Sequence, residues 1–277
     1  MKTFIYCNQK GGVGKSTFAV HHALHSVKQE QRVLFLDLDS QGNSSATMRH
    51  HTESLFTAHH LYEPQLQYQK QLNRLTLYQG TSELQDVDRL PHHVVKQFTT
   101  NMKRLESDFD VCIIDTPPAL GLRLMSALIY GQFVICPFEL ASYSMQGIGQ
   151  IIATIHGIQE RYNPALTLIG FLPNRVNSRS HAHRTAMHEI CSRFAQYIIR
   201  KKMVNRVAVQ EALDQGCAVW DLKTSTAKVA ATEILDIIHT IETATTQETH
   251  NAYGRDQINQ QPIKGNPSKK QAHTDQA

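Results

Sequence analysis

Lys10-Gly11-Gly12-Val13-Gly14-Lys15-Ser16-Thr17 constrains this chain more than any other stretch, because of what lies on either side of it. An apolar run, Thr3-Phe4-Ile5-Tyr6-Cys7, precedes it and Phe18-Ala19-Val20 follows. A glycine-rich loop in that setting is a strand-to-helix turn. Its glycines let the backbone curl with N–H groups inward, and the helix adds the positive end of its dipole, so the loop suits a polyphosphate. Lys15 would reach the β- and γ-phosphates, and Ser16 would offer a hydroxyl to Mg²⁺. The common pattern has a glycine where this chain has Gln9, with Lys10 beside it. That departure marks a subclass.

Apolar runs alternate with segments of helical period along the chain, the signature of an α/β protein with a doubly wound, mostly parallel sheet and helices on both faces. Strands are expected near 3–7, 32–37, 75–79, 110–115, 133–137, 166–171 and 197–202. Val111-Cys112-Ile113-Ile114 is apolar at consecutive positions, as in a strand buried on both faces. Ligands in such sheets bind beyond the carboxyl ends of the strands, where the loops after the first, second and fourth strands carry polar motifs. At 277 residues, the chain accommodates one domain over 1–242, with 243–277 expected as a disordered polar tail. No apolar run of about eighteen residues occurs and the N-terminus enters a strand directly, so no membrane span or signal peptide is expected and the location read is cytoplasmic. Cys7, Cys112, Cys136, Cys191 and Cys217 are widely spaced, which suits reduced thiols. The pairs His21-His22, His50-His51, His59-His60 and His92-His93, with His181 and His183, are expected as surface polar groups. Adjacent histidines on a helix point about 100° apart, and no Cys or carboxylate constellation completes a tetrahedral site.

Three ordered motifs carry a resemblance to the ParA/MinD family of deviant Walker ATPases, and within it to the ParA partition branch. They are Asn8-Gln9-Lys10 leading into the loop, Asp37-Leu38-Asp39-Ser40-Gln41-Gly42-Asn43, and Ile113-Ile114-Asp115-Thr116-Pro117-Pro118. The similarity continues through Pro137-Phe138-Glu139 and Tyr143-Ser144-Met145-Gln146-Gly147 to about residue 242. It implies a Mg²⁺-dependent ATPase of slow basal turnover. Gly11, Gly12, Val13, Gly14, Lys15, Ser16 and Thr17 would cradle the nucleotide, and Ser16, Asp37 and Asp115 would serve the metal. Asp39 would position the attacking water, and Lys10 would cross a dimer interface to the partner's nucleotide. Ser40 stands where relatives commonly carry proline. Pro117-Pro118-Ala119-Leu120-Gly121 resembles the switch that follows the metal carboxylate. Asn174 stands where relatives place an amide that reads adenine, and Asn174-Arg175-Val176-Asn177 lacks the Lys and Asp of a guanine-reading motif. The loop Met203-Val204-Asn205-Arg206 lacks the proline that packs on the base in relatives.

The resemblance also implies an ATP-dependent homodimer that binds DNA without sequence preference, associates with the nucleoid and is released by a ParB-like or other adaptor. Net charge is only +4, but basic residues cluster late in the chain. Over Ala182 to Ile198, Met187, Ile190, Cys191, Phe194 and Ile198 recur at helical spacing and leave Arg184, His188 and Arg193 towards solvent. Arg193, Arg200, Lys201 and Lys202 are the expected DNA-contacting residues. A MinD-like positioning role would need a C-terminal amphipathic helix, which Gly265-Asn266-Pro267-Ser268-Lys269-Lys270-Gln271 does not supply. A nucleotide-gated protein scaffold without DNA binding is the alternative.

Overall fold

Strands β1 (Lys2–Tyr6), β2 (Val33–Asp37), β3 (Leu55–Thr57), β4 (Leu75–Gln79), β5 (Val111–Asp115), β6 (Phe133–Glu139) and β7 (Thr167–Asn174) form one sheet. Their order is β3-β4-β2-β5-β1-β6-β7, and each pairing is parallel. The computed structural model describes residues 1–259 apart from 54, 67, 71, 72 and 141–144, with side chains up to residue 246. Tyr143 and Ser144, and the tail beyond 259, therefore lie outside the described residues.

Alternation along the central strands builds two cores. Phe4 and Tyr6 of β1, and Val111 and Ile113 of β5, enter one, while Ile5, Cys112 and Ile114 enter the other. Both faces are covered, so the strands read as unbroken apolar runs. The helices are α1 (Lys15–Lys28), α2 (Asn43–Met48), α3 (Leu84–Val87), α4 (Val94–Leu105), α5 (Leu122–Tyr130), α6 (Met145–Arg161), α7 (His181–Phe194), α8 (Val207–Asp214) and α9 (Ser225–Asn259). Apolar residues of α4, α5 and α6 pack on one face of the sheet, and those of α1, α8 and α9 on the other. In α9, Ile234, Ile237, Ile238 and Ile241 are buried, each contributing about 1.5–3 kcal/mol by leaving water.

Some expectations need correction. The mostly parallel, doubly wound sheet expected is present and is parallel throughout; the differences lie elsewhere. Edge strand β3 went unpredicted because Leu55-Phe56-Thr57 is too short to show a period. Residues 197–202 do not form a strand: Ile198 makes an isolated bridge to Phe171, with Ile199 N donating to Phe171 O and Met203 N to Pro173 O. Pro173 has no N–H to return, which interrupts the ladder. The helix expected over 182–198 ends at Phe194 and tightens into a 3₁₀ turn over Ala195–Tyr197. Helix α9 runs from Ser225 to Asn259, and Thr245 within it is buried.

His21 and His22 are fully buried rather than on the surface, because α1 is covered by the sheet on one side and by α9 and the turn at Val219–Asp221 on the other. His21 Nδ1 lies 2.7 Å from Thr17 O, and Val219 N donates to His21 Nε2 at 3.1 Å. That pair of contacts defines a neutral ring with the proton on Nδ1. His22 Nδ1 meets Tyr6 Oη at 2.9 Å. His59 and His60 are half-buried and come together with Glu63.

Burial pulls His21 down to about 4, while an unfolded histidine titrates near 6.5. As pH falls, the unfolded chain takes up this proton first, so stability present above about pH 6.5 is lost progressively towards pH 4, by on the order of 3 kcal/mol. Urea unfolding across that range should show the decline, with a slope shallower by one proton in His21→Gln. Equal slopes would contradict the assignment.

Candidate active site

The loop after β1 is held at both ends by side chains. Asn8 Nδ2 donates to Pro137 O at 2.7 Å, fastening the loop to β6, and Asn8 Oδ1 accepts from Lys10 N at 3.0 Å. At the far end Asn174 Nδ2 donates to Val13 O at 2.9 Å. Gly12 and Gly14 have φ of +77° and +102°, and a Cβ on Gly14 would lie 2.3 Å from Asn174 Nδ2. Only glycine meets both conditions. Arg175, itself at positive φ, donates to Gly12 O at 3.2 Å and pairs with Glu139 at 2.9 Å. The end of β7 thus braces the loop.

Lys15 opens α1 and is buried, its Nζ 3.5 Å from Lys10 O. Lys10 is exposed. Gly11, Gly12, Gly14, Lys15, Ser16, Thr17, Asp39 and Pro118 line a cleft of about 700 Å³, within the usual size range for small-molecule sites. An adjoining cavity of about 430 Å³ is bordered by Thr17, Asn174, Arg175, Met203, Asn205 and Arg206.

Register places two carboxylates side by side, since Asp37 of β2 is the strand partner of Asp115 of β5. Asp37 is satisfied: it accepts from Ser45 N at 2.9 Å, Ser45 Oγ at 2.6 Å and Asp39 N at 3.0 Å. These bonds tie α2 and the acidic loop to the strand end. Asp115 is buried with neither oxygen hydrogen-bonded. Burial, then the charge of Asp37, push its carboxyl up to about 7, while Ser16, Lys15 and Ser44 oppose the rise. Burial also raises Asp37. Uncompensated buried carboxylates are costly, and a cation at this place would relieve that cost. The hard oxygens of Asp115 and Ser16, with Asp37 adjacent, are a set that would fit Mg²⁺. Asp39 is half-buried in the cleft, and its Oδ1 accepts from Gln41 N at 3.1 Å.

Supporting residues escaped the sequence reading. Gly80 N donates to Ser45 Oγ at 2.9 Å, and a Cβ there would lie 2.1 Å from Asp39 O. A glycine directly after a strand was the available signal. Arg123 binds Asp88 through Nε at 2.9 Å and Nη2 at 2.8 Å, and Nη1 donates to Leu38 O at 3.0 Å. It thereby links the segment after Asp115 to the backbone beside Asp39. Its only sequence signal was a cation inside the apolar run Leu122–Leu124.

Arg193 lies on α7, whereas Arg200, Lys201 and Lys202 follow the 3₁₀ turn, and all four are exposed. Lys201 pairs with Asp236 at 2.9 Å, and Arg206 pairs with Glu233. Among the described residues no carboxylate lies within ion-pair distance of Arg193, Arg200 or Lys202.

A glycine loop opening a helix, buried carboxylates at neighbouring strand ends and a wholly parallel sheet define a P-loop nucleotide-hydrolase fold. A family model described as an AAA domain matches residues 1–168. Protein IncC of Escherichia coli is 34% identical over 249 residues, covering 84% of this chain and 67% of that protein. The chromosome partitioning protein ParA of Myxococcus xanthus (strain DK1622) is 27% identical over 230 residues, 78% of this chain and 81% of that protein. The structure of cobyrinic acid a,c-diamide synthase from Mycobacterium smegmatis with bound ADP and magnesium superposes with a TM-score of 0.64 at 27% identity, covering 77% of this chain and 93% of that one. The chain belongs to the ParA/MinD family of P-loop ATPases. No helix among the described residues is long and apolar enough to cross a membrane.

Proposed function

We propose that this chain is an ATP-dependent partitioning ATPase whose ATP-bound dimer binds DNA without sequence preference and is released when an adaptor of ParB-like role stimulates hydrolysis. The observation that carries the reading is the orphaned Asp115 carboxylate beside Asp37 and near Lys15, together with a cleft of nucleotide size lined by Lys15, Ser16 and Asp39. ATP and Mg²⁺ are the ligands that answer both needs: Gly11 to Thr17 cradle the phosphates, Lys15 neutralises the β- and γ-phosphates, and Ser16 and Asp115 hold the metal. When bound, Mg²⁺ supplies charge neutralisation between phosphate and carboxylate. Asp39, which faces the cleft, orients the attacking water, and Asp37 keeps the loop that carries Asp39 in place. Asn174 supports the loop through Val13 and borders the cavity suited to the base.

Lys10 is the element of the dimer. Asn8 fixes its backbone, while the residue is exposed and outside the cleft lining, which favours action across an interface on the partner's nucleotide. The dimer would then set two copies of Arg193, Arg200, Lys201 and Lys202 against phosphates, giving nucleoid association in a cytoplasmic protein. Residues 1–242 supply this machinery in our reading, and 243–277 remain outside it.

Light scattering tests the reading: wild type should be dimeric with ATP and mostly monomeric with ADP, and Lys10→Ala should weaken the dimer while binding nucleotide almost normally. Equal dimer fractions in both nucleotides would remove the switch and leave the scaffold alternative.

A further inference from the structure

Two histidines and a glutamate that the nucleotide site does not use converge beyond β3, on the 3₁₀ turn Ala58–Tyr62 and the residue after it. His59 Nε2 lies 3.5 Å from Glu63 Oε1, and His60 Nε2 lies 4.0 Å from the same atom. One ligand atom from each residue falls within 4.8 Å of the other two. The imidazoles, expected to diverge as sequence neighbours, have ring centroids 4.1 Å apart.

The carrier is anchored to the core. Ala58, Leu61 and Tyr62 are buried, and the buried amide of Asn101 on α4 donates to Leu61 O at 3.1 Å and Glu63 O at 2.8 Å. A further carboxylate stands behind His59: its Nδ1 is buried without an aligned hydrogen bond and lies 3.2 Å from Glu83 Oε2. Glu83 in turn accepts from Thr81 Oγ1 at 2.7 Å.

We propose that His59, His60 and Glu63 form a binding site for a transition-metal dication of the zinc class, with Glu83 as the outer carboxylate that orients His59. Tetrahedral bonds of about 2.0–2.1 Å hold ligand atoms about 3.4 Å apart. The two histidine-to-glutamate distances already approach that spacing, so only a small closure of the two rings is required. Two imidazoles and one carboxylate suit Zn²⁺, Co²⁺ or Ni²⁺, whereas Mg²⁺ and Ca²⁺ prefer all-oxygen sets. A metal on His59 Nε2 fixes the proton on Nδ1, where Glu83 accepts it, the arrangement that metal-bound histidines commonly adopt. A simple ion pair explains less, since one Glu63 carboxylate answers one imidazolium while both rings turn towards it. The site leaves a fourth position for water. It joins the turn after β3 to the segment after β4, three residues beyond the Gly80 that packs on the acidic loop.

The test is calorimetric titration of Zn²⁺ into the EDTA-stripped full chain in excess Mg²⁺, which keeps the nucleotide site out of the count, with Co²⁺ absorption as a second readout. One equivalent should bind, at least tenfold more weakly in His59→Gln, His60→Gln and Glu63→Gln, and about 10–100-fold more weakly in Glu83→Gln. Co²⁺ should give visible bands in wild type that vanish in both histidine variants, while circular dichroism and ATP hydrolysis are retained. Absence of stoichiometric binding, or binding that both histidine variants preserve, would overturn the site and leave an ion pair. Normal binding in Glu83→Gln alone would overturn the orienting role and support the three-ligand core.

Discussion

Lys15→Ala should lower ATP affinity at least about 100-fold, whereas Asp39→Ala should bind ATP nearly as wild type and hydrolyse it at least about 100-fold more slowly. Lys15 is buried at the first position of α1, so its removal takes away the cation proposed to meet the phosphates. Charge-assisted hydrogen bonds are worth about 1.5–3 kcal/mol each in ordinary settings, and a lysine meeting two phosphates in a cleft exceeds one such bond. Asp39 lies at the cleft surface and holds only its own loop through Gln41 N, so alanine there leaves the cradle standing. It removes the group proposed to orient water. Fluorescent-nucleotide binding and phosphate release measured on both variants separate the roles. Wild-type turnover in Asp39→Ala would show that another carboxylate positions the water.

Asp115→Asn should abolish Mg²⁺-dependent hydrolysis and at the same time stabilise the nucleotide-free chain. The carboxylate is buried, lacks hydrogen bonds and sits beside Asp37, so at about pH 8, above its raised pKa, the folded protein bears an uncompensated charge. A neutral amide of the same shape removes that repulsion, for a gain of about 1–3 kcal/mol and a melting temperature higher by several degrees. Melting curves without nucleotide, set beside phosphate-release rates, report both effects. A lower melting temperature in Asp115→Asn would mean that the charged form is satisfied in the native chain and would weaken its assignment to the metal.

The candidate nucleotide site could be read from the sequence because its residues are local: a loop and two acidic strand ends, each written as a short motif. Strands β1, β2, β4, β5 and β6 were also visible, since burial on both faces leaves mainly apolar runs. What escaped depends on residues distant in sequence. Arg123 reads as a stray charge until Asp88 and Leu38 O are brought to it, and Gly80 gains its role only when Asp39 O packs against it. The buried state of His21 required the turn at Val219, 198 residues further along the chain, to close over α1. Residues 197–202 misled because their apolar start resembles a strand, yet the neighbour they meet on β7 includes Pro173. His59 and His60 were read by α-helical geometry, whereas they sit on a 3₁₀ turn whose rings lean towards Glu63.

Nucleotide state is held to control a basic DNA-binding surface, and fluorescence anisotropy of a labelled random-sequence duplex, titrated with protein at several salt concentrations, tests this most directly. With ATP the wild type should bind, tightly at low salt, and with ADP hardly at all; changing the DNA sequence should matter little, because phosphates carry no base information. Arg200→Glu/Lys202→Glu should weaken binding and flatten the dependence of log affinity on log salt by about 0.9 for each phosphate no longer neutralised. Equal binding in ATP and ADP, or no binding by the wild-type ATP state, would contradict the account.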